Sequence, residues 1–136
     1  MTYKFYDTCS LLLKADSLID EKDPIIISSI TLSELENIKT SSHKDNELKY
    51  AARRLLNFLT DHPETYTVHI FTLDMLKPIE EKSLDITNDT KILATAIDYD
   101  TNIHPDETVF VTNDLALYNI ANLFFGEDSI ERVEEE

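Results

Sequence analysis

Apolar positions follow two spacings along the chain. Short continuous or alternating apolar runs are typical of strands, and they occur at Tyr3–Tyr6, Ile25–Ile27, Tyr66–Ile70, Val109–Val111 and around Ile130 and Val133. Between them, apolar residues recur every three or four positions, which is typical of amphipathic helices. Strands separated by helices predict a parallel sheet with right-handed crossovers and helices on both faces. We therefore predict an α/β fold, a three-layer α/β/α sandwich around a central, mostly parallel sheet of about five strands.

The helical stripes place the remaining elements. They run over Leu11–Ile19, over Leu32, Leu35 and Ile38, from Leu48 to Leu59, over Ile92, Leu93 and Ala96, and from Leu115 to Leu123. His62 and Pro63 end the third stripe, and Gly126 is predicted to cap the last helix at its C-terminus. No repeat or linker divides the chain, so residues 1–136 are expected to form one domain. Residues 134–136, all glutamate, are expected to be a frayed acidic tail or the point where a longer protein was cut.

Composition excludes several classes of function. Hydrophobic residues make up 42% of the 136 residues, and no apolar run approaches the roughly 20 residues that a membrane helix needs. The N-terminus does not resemble a signal peptide, and Cys9 is the only cysteine, which favours a reducing, cytoplasmic location. The single glycine, Gly126, excludes glycine-rich phosphate-binding loops.

Charge is distributed unevenly. The net charge of −15 argues against a simple nucleic-acid-binding module. Five of the 12 basic residues nevertheless lie close together in sequence: Lys39, Lys44, Lys49, Arg53 and Arg54. This basic segment is either a local contact for an anionic polymer or a solvated helix face.

Four acidic residues lie at matching places, just after strand-like runs or in the first turns of the following helices. They are Asp7, Glu34, Asp89 and Asp114. In a parallel sheet these side chains meet at one edge, where carboxylates repel unless a divalent cation joins them. Each also has a structural alternative, since acids cap helices and Thr31 and Glu34 have capping-box spacing. The joint pattern favours a metal-dependent phosphodiesterase.

The segments around these acids resemble the four motifs of PIN-domain nucleases, in the family's order. They are residues 4–12 (KFYDTCSLL), 29–39 (SITLSELENIK), 88–96 (NDTKILATA) and 109–114 (VFVTND). The second motif and the helix at residues 48–56 (LKYAARRLL) are most similar to the PIN domains of PhoH-like proteins. Two departures leave the number of metal ions open: Cys9 stands where asparagine is common, and residues 115–117 supply no further acid.

The resemblance implies a metal-dependent endoribonuclease that uses Mg²⁺ or Mn²⁺ and leaves 5′-phosphate and 3′-hydroxyl ends. Asp7 and Asp114 would be the most direct ligands, Asp89 would share a metal or bind through water, and Glu34 would complete the set or orient the attacking water. Other residues would support the four acids or contact the RNA. Ser10 and Thr112 would hydrogen-bond a carboxylate or phosphate, although the Ser10 hydroxyl could instead be satisfied within its own helix. Lys49, Arg53 and Arg54 would contact RNA phosphates. Asp85 is either a further contributor or a bystander, and Lys91 would bind phosphate or neutralise an acid.

Other functions remain open from the sequence. A PIN-like domain kept only for binding RNA or protein, and a toxin-type nuclease silenced by an antitoxin, are both alternatives; a receiver-like domain lacks the expected adjacent acids. Expected partners are single-stranded RNA, with a homo-oligomer, an ATPase domain or an antitoxin left open. Cys9 is expected to be buried and inert. The histidines, His43, His62, His69 and His104, show no metal-binding spacing and are expected in loops or at the surface.

Overall fold

A five-stranded parallel sheet forms the centre of the computed structural model, which describes residues 1–41 and 46–133. Its strands are β1 (Tyr3–Tyr6), β2 (Ile25–Ser28), β3 (Tyr66–His69), β4 (Thr108–Thr112) and β5 (Ile130–Arg132). They lie in the order β3-β2-β1-β4-β5, and every neighbouring pair is parallel. Phe5 of β1 is in register with Ile26 of β2 and Phe110 of β4, so β1 is the central strand.

Helices cover both faces of this sheet. The α-helices of the described residues are α1 (Thr8–Lys14), α2 (Ser29–Thr40), α3 (Asn46–Asp61), α4 (Lys77–Glu81), α5 (Asn88–Asn102) and α6 (Leu115–Ala121). Strand alternation divides the core in two. Phe5, Ile26 and Phe110 pack with α4, α5 and α6, whereas Tyr6 and Val111 pack with α1, α2 and α3. The predicted three-layer α/β/α sandwich is confirmed.

Two predicted helices end differently from expectation. The stripe over Leu11–Ile19 divides into α1 and a 3₁₀ helix, Ala15–Asp20. Gly126 does not cap α6, which ends at Ala121, where the N–H of Asn122 bonds to the Ile120 and Tyr118 carbonyls. Gly126 instead precedes the 3₁₀ helix Glu127–Ser129 with an ordinary φ of −69°. The prediction of a glycine cap was wrong because the chain makes another tight turn before it reaches the glycine.

The topology brings several helix starts to one edge of the sheet. Because the strands are parallel, their carboxyl ends share this edge, and α1, α2 and α6 begin within three residues of the ends of β1, β2 and β4. No helix in the described part of the chain is long and apolar enough to cross a membrane. The predictions for His43, Lys44 and the acidic tail at 134–136 concern positions outside the described residues.

Candidate active site

Asp7 lies directly after the central strand and is almost fully buried, with 3% of its surface exposed. Its Oδ1 accepts a hydrogen bond of 2.8 Å from the Ser10 N–H, which caps the N-terminus of α1. Its Oδ2 accepts a hydrogen bond of 2.5 Å from the Thr112 hydroxyl. Burial raises the pKa of Asp7 above its ordinary value; the bonds from Ser10 and Thr112 oppose this, and the charge of Asp114 adds to it.

Asp114 is joined to Asp7 through Thr112. The Thr112 oxygen that donates to Asp7 accepts a hydrogen bond of 3.1 Å from the Asp114 backbone N–H. The Asp114 carboxylate in turn accepts from the Leu117 N–H at 3.0 Å and caps α6. Asp7 and Asp114 therefore cap helices, as the structural alternative expected, yet their two strands also place them beside each other.

Glu34 lies within α2, where it does not serve as a helix cap. α2 begins after Ser28, whose side chain accepts from the Ile30 N–H, so the predicted capping box of Thr31 and Glu34 does not form. The Glu34 Oε1 instead accepts a hydrogen bond of 2.7 Å from the hydroxyl of Thr8, the residue after Asp7. This contact links α2 to the start of α1. Helix capping, the structural alternative for Glu34, therefore does not explain its position.

Asp89 lies in the first turn of α5, where the capping box is formed by Thr87 and Thr90 instead. Its surface is exposed. Partial desolvation raises the pKa of Asp89, and the charges of Glu34, Asp114 and Asp7 raise it further. All four predicted acids thus act electrostatically on one region at the carboxyl edge of the sheet.

Cys9 lies exposed in this region, so the prediction that it is buried was wrong. Partial desolvation raises the pKa of its thiol to about 11, and the charges of Asp7, Asp89, Glu34 and Asp114 contribute to the rise. The raised pKa keeps the thiol protonated at neutral pH, and the expectation that Cys9 is inert stays a prediction.

The chemistry of these side chains suits a hard divalent cation. The four acids supply carboxylate oxygens, the ligands that Mg²⁺ and Mn²⁺ prefer, and no ion pair within the described residues includes any of them. In the present conformation, no three His, Cys, Asp or Glu side chains of residues 1–41 and 46–133 converge closely enough to hold one ion. The acids share an edge and an electrostatic field without forming a closed coordination shell.

Ser10 supports Asp7 mainly through its backbone. Its hydroxyl donates to the backbone carbonyls of Asp7 and Val111, each at 3.0 Å, and these bonds tie α1 to β4. The Ser10 N–H also bonds to the Asp7 carboxylate, and hydrogen bonding by the Ser10 side chain lowers the pKa of Asp7 as well.

Two clefts flank the four acids. One, of about 230 Å³, contains Asp89 and Asp114 and is also lined by Asp85, so Asp85 lies beside two of the four predicted acids. The other, of about 350 Å³, lies between α1 and α3 and includes Cys9 and Asn113. The Asn113 Oδ1 is buried there without a hydrogen-bond partner among the described residues. No sequence pattern singled out Asn113.

The predicted basic residues lie on α3 and α5. Arg53 is exposed and Lys49 half-buried on α3. Arg54 forms an ion pair with Asp16 and lies 5.6 Å from the centre of the Tyr50 ring, so it already has an anionic partner. Lys91, half-buried on α5, forms no ion pair with any described residue.

His69 differs from the expectation of a loop histidine. It lies on β3, where its Nε2 is 2.8 Å from Asp98 Oδ2, and its ring packs edge-on against Tyr99. His104 stacks on Tyr3 at the other end of the sheet. These contacts give both histidines structural partners away from the four acids.

Comparisons with known proteins agree with this architecture. Over its full length the chain is similar to a domain of a functionally unknown protein from Methanocaldococcus jannaschii, with 22% identity, 94% of that chain covered and a TM-score of 0.64. It is also similar to a chain in the crystal structure of VapBC2 from Rickettsia felis bound to a DNA fragment from their promoter. That match has 21% identity, covers 98% of this chain and 100% of that chain, and has a TM-score of 0.58. No curated protein sequence matches it.

A family comparison covers most of the chain. Residues 5–124 match the family described as PIN domain, whose members are generally nucleases, and this range contains all four predicted acids. The chain therefore belongs to the PIN domain family.

Proposed function

We propose that this protein is a metal-dependent endoribonuclease that hydrolyses phosphodiester bonds of single-stranded RNA in the cytoplasm. The observation that carries the proposal is the placement of Asp7 and Asp114 on either side of Thr112, with Glu34 and Asp89 acting on the same region. A fold needs no such concentration of negative charge for stability, because like charges at close range oppose folding. A site that recruits Mg²⁺ or Mn²⁺ does need it.

Each acid has a distinct part in the proposed reaction. Bound Mg²⁺ or Mn²⁺ lowers the pKa of coordinated water and offsets negative charge on the phosphate. Asp7 and Asp114 would hold the cation, with Thr112 fixing the orientation of Asp7. Asp89, which is exposed, would share the cation directly or through water, and Glu34 would complete the set or orient the attacking water.

Cleavage of RNA tests this proposal. Single-stranded RNA incubated with Mn²⁺ and the wild-type protein should yield shorter products with 5′-phosphate ends, and chelation should stop the reaction. Asp7→Asn and Asp114→Asn should each abolish cleavage, whereas Glu81→Gln, which removes an exposed acid from α4, should not. Cleavage that persists in both active-site variants would refute the assignment.

The sequence also supports proposals for the residues that contact RNA, for the subgroup of the family and for partner domains. Lys49, Arg53 and Arg54 on α3 would contact RNA phosphates, and Lys91 would neutralise an acid or a phosphate near Asp89. The similarity of residues 29–39 and 48–56 to PIN domains of PhoH-like proteins supports that subgroup, with an ATPase domain as a partner. A homo-oligomer is a further proposal, which sedimentation of the purified protein would test.

A toxin-type nuclease controlled by an antitoxin is the second candidate. A chain in the structure of VapBC2 with promoter DNA shares this fold, which keeps an antitoxin partner among the proposals. Expression of the wild-type protein should then arrest growth, and a neighbouring gene product should relieve the arrest. A domain kept only for binding would instead retain RNA affinity and show no Mn²⁺-dependent cleavage at all.

A further inference from the structure

The 230 Å³ cleft beside Asp89 and Asp114 combines an apolar lining with an acidic rim. It lies between the start of α5, the loop before it and α6, and it opens beside the proposed catalytic acids. Its apolar lining consists of Leu84, Ala116, Leu117 and Ile120. Thr87 and Thr90 add hydroxyl groups on the α5 side.

The charge of the cleft restricts its occupant. Asp85, Asp89 and Asp114 line it, and no lysine, arginine or histidine does so among the described residues. Asp89 and Asp114 are assigned to the proposed cation, which leaves Asp85 as the acid available to an occupant of the cleft, and an aliphatic group would offer Asp85 no hydrogen-bond donor. A flat neutral ring with N–H donors at its edge suits both the apolar lining and the Asp85 carboxylate. An unpaired nucleobase has this chemistry.

Asp85 is placed to read the edge of that base. It lies in the loop before α5, and its backbone carbonyl accepts a hydrogen bond of 2.8 Å from the Thr90 hydroxyl, which anchors the loop. Its exposed carboxylate makes no hydrogen bond or ion pair with any residue in the described part of the chain. A carboxylate only accepts hydrogen bonds, so it pairs with an exocyclic amino group and disfavours a carbonyl at the same position.

We propose that this cleft holds one unpaired nucleobase bearing an exocyclic amino group, next to the phosphodiester that is cleaved, and that Asp85 selects it. The inference rests on the proposed nuclease function and assigns it a substrate preference. It also gives a role to the Asp85 carboxylate, which lines the same cleft as Asp89 and Asp114.

Binding of two pyrimidine strands tests the proposal without cleavage. Fluorescently labelled oligocytidylate and oligouridylate of equal length differ at C4, where cytosine carries an amino group and uracil a carbonyl. In the Asp7→Asn background with Mn²⁺, we expect anisotropy to show oligocytidylate bound roughly 3–10-fold more tightly, as one hydrogen bond provides. Adding Asp85→Ala should reduce this preference to less than about twofold.

Two further variants separate the alternatives. Ala116→Leu, on the exposed side of α6, should fill the cleft and weaken binding of both strands, while the matched charge control Glu81→Gln should change neither. An unchanged cytosine preference in Asp85→Ala, or no preference in the parent, overturns the proposal. So does a loss of Mn²⁺ affinity in Asp85→Ala with base preference intact, which would make Asp85 a cation ligand. If wild type fails to cleave RNA while the preference follows Asp85, the nuclease function fails and the base subsite stands.

Discussion

Thr112 connects the two acids that the proposed chemistry needs most. The residue is completely buried at the end of β4, and its one hydroxyl donates to Asp7 while accepting from the Asp114 N–H. A hydroxyl can serve both purposes because it carries one donor and two acceptor sites. The orientation of Asp7 therefore depends on the side chain at 112 as well as on its own backbone.

Thr112→Val should weaken the site without removing a carboxylate. Valine matches threonine in shape but leaves Asp7 Oδ2 and the Asp114 N–H without their partner. We expect Mn²⁺ affinity to fall by roughly 10–100-fold, the usual effect of losing a hydrogen bond to a ligand. Calorimetry would measure this, and Thr112→Ser should restore most of the affinity. Wild-type affinity in Thr112→Val would show that Asp7 needs no such support.

Asp7→Asn should stabilise the metal-free protein at neutral pH. The raised pKa of Asp7 means that the folded protein holds this proton more tightly than the unfolded chain does. Ionisation of Asp7 therefore costs stability as the pH rises through the folded-state pKa. Asparagine removes that charge and still caps α1. We expect the melting temperature at pH 7 to rise by roughly 2–5 °C.

The pH dependence provides the control for that variant. The stability difference should shrink as the pH falls below the ordinary carboxyl pKa, where wild-type Asp7 is protonated in both states. Glu81→Gln removes the same charge from an exposed position and should show no comparable gain. A melting temperature for Asp7→Asn that lies below wild type at pH 7 would indicate that Asp7 is a structural cap and little else.

At the level of single residues, the sequence predicted that Asp7, Glu34, Asp89 and Asp114 share one edge because each follows a strand-like run or opens a helix in the pattern, although Glu34 in fact lies within α2. It misjudged Cys9, since apolar neighbours in sequence do not report which side of a short helix faces the solvent. It did not find Asn113, because burial of one amide oxygen depends on α1 and α3, which are distant in sequence.

Among the elements, β1 is linked by Lys4 to acids outside its neighbouring strands. The ammonium group lies within 4 Å of carboxylates of Glu21, Asp23 and Glu131, and the side chain is only 18% exposed. Burial alone would lower the pKa of Lys4, but the charges of Glu131, Glu21 and Asp23 raise it overall. The Glu21 carboxylate also accepts a hydrogen bond from the buried Tyr6 hydroxyl at 2.9 Å. Lys4 therefore joins β1, β5 and the loop before β2.

Lys4→Met should destabilise the fold by roughly 2 kcal/mol, because three acids lose the cation that compensates their repulsion. The raised pKa means that this stabilisation is present at neutral pH and is lost only as the pH rises through the folded-state value, above the ordinary lysine pKa. Urea unfolding at pH 7 would measure the loss. Lys22→Met, an exposed neighbour, should cost far less, and equal effects of the two substitutions would argue against a special role for Lys4.

The α3 helix is the element proposed to contact RNA. Lys49→Gln and Arg53→Gln should each weaken binding of single-stranded RNA to the Asp7→Asn protein by roughly twofold to fivefold. Each should also reduce the slope of log affinity against log salt by about 0.7, the value for one lost phosphate contact. Lys82→Gln, an exposed residue at the end of α4, is the matched control. Unchanged salt slopes would mean that this face is simply solvated.

Sequence patterns predicted all five strands and every α-helix of the described residues except the short α4. β2 and β4 read as nearly continuous apolar runs because both faces of a parallel sheet are covered. α4 was not predicted, since its five residues are too few to show a helical period and include Pro78. The capping box was assigned to Thr31 and Glu34 when Thr87 and Thr90 form it, because two hydroxyl residues can cap each other without the expected glutamate.

For the molecule as a whole, the parallel sheet brings residues that are distant in sequence close together in space. Asp7 and Asp114 are more than 100 positions apart, yet β1 and β4 are hydrogen-bonded neighbours in the centre of the sheet. The alternation of strands and helices predicted this arrangement. It could not predict that the four acids would stop short of a closed coordination shell, because that depends on side-chain rotamers and on the cation itself.

The net charge of −15 is a further reason for a bound cation, because the molecule as a whole repels an anionic RNA strand. An RNA strand approaching the carboxyl edge meets acids at Glu34, Asp89 and Asp114, with basic residues displaced to α3. Divalent ions at the edge would reverse that local repulsion. The proposed nuclease activity therefore depends on cation binding by the four acids.

Calorimetric titration of Mn²⁺ into the metal-free protein tests this dependence most directly. We expect saturable binding of one or two ions to wild type and affinity at least roughly tenfold lower in Asp7→Asn. Equal binding by the two proteins, or no saturable binding by wild type, would contradict it.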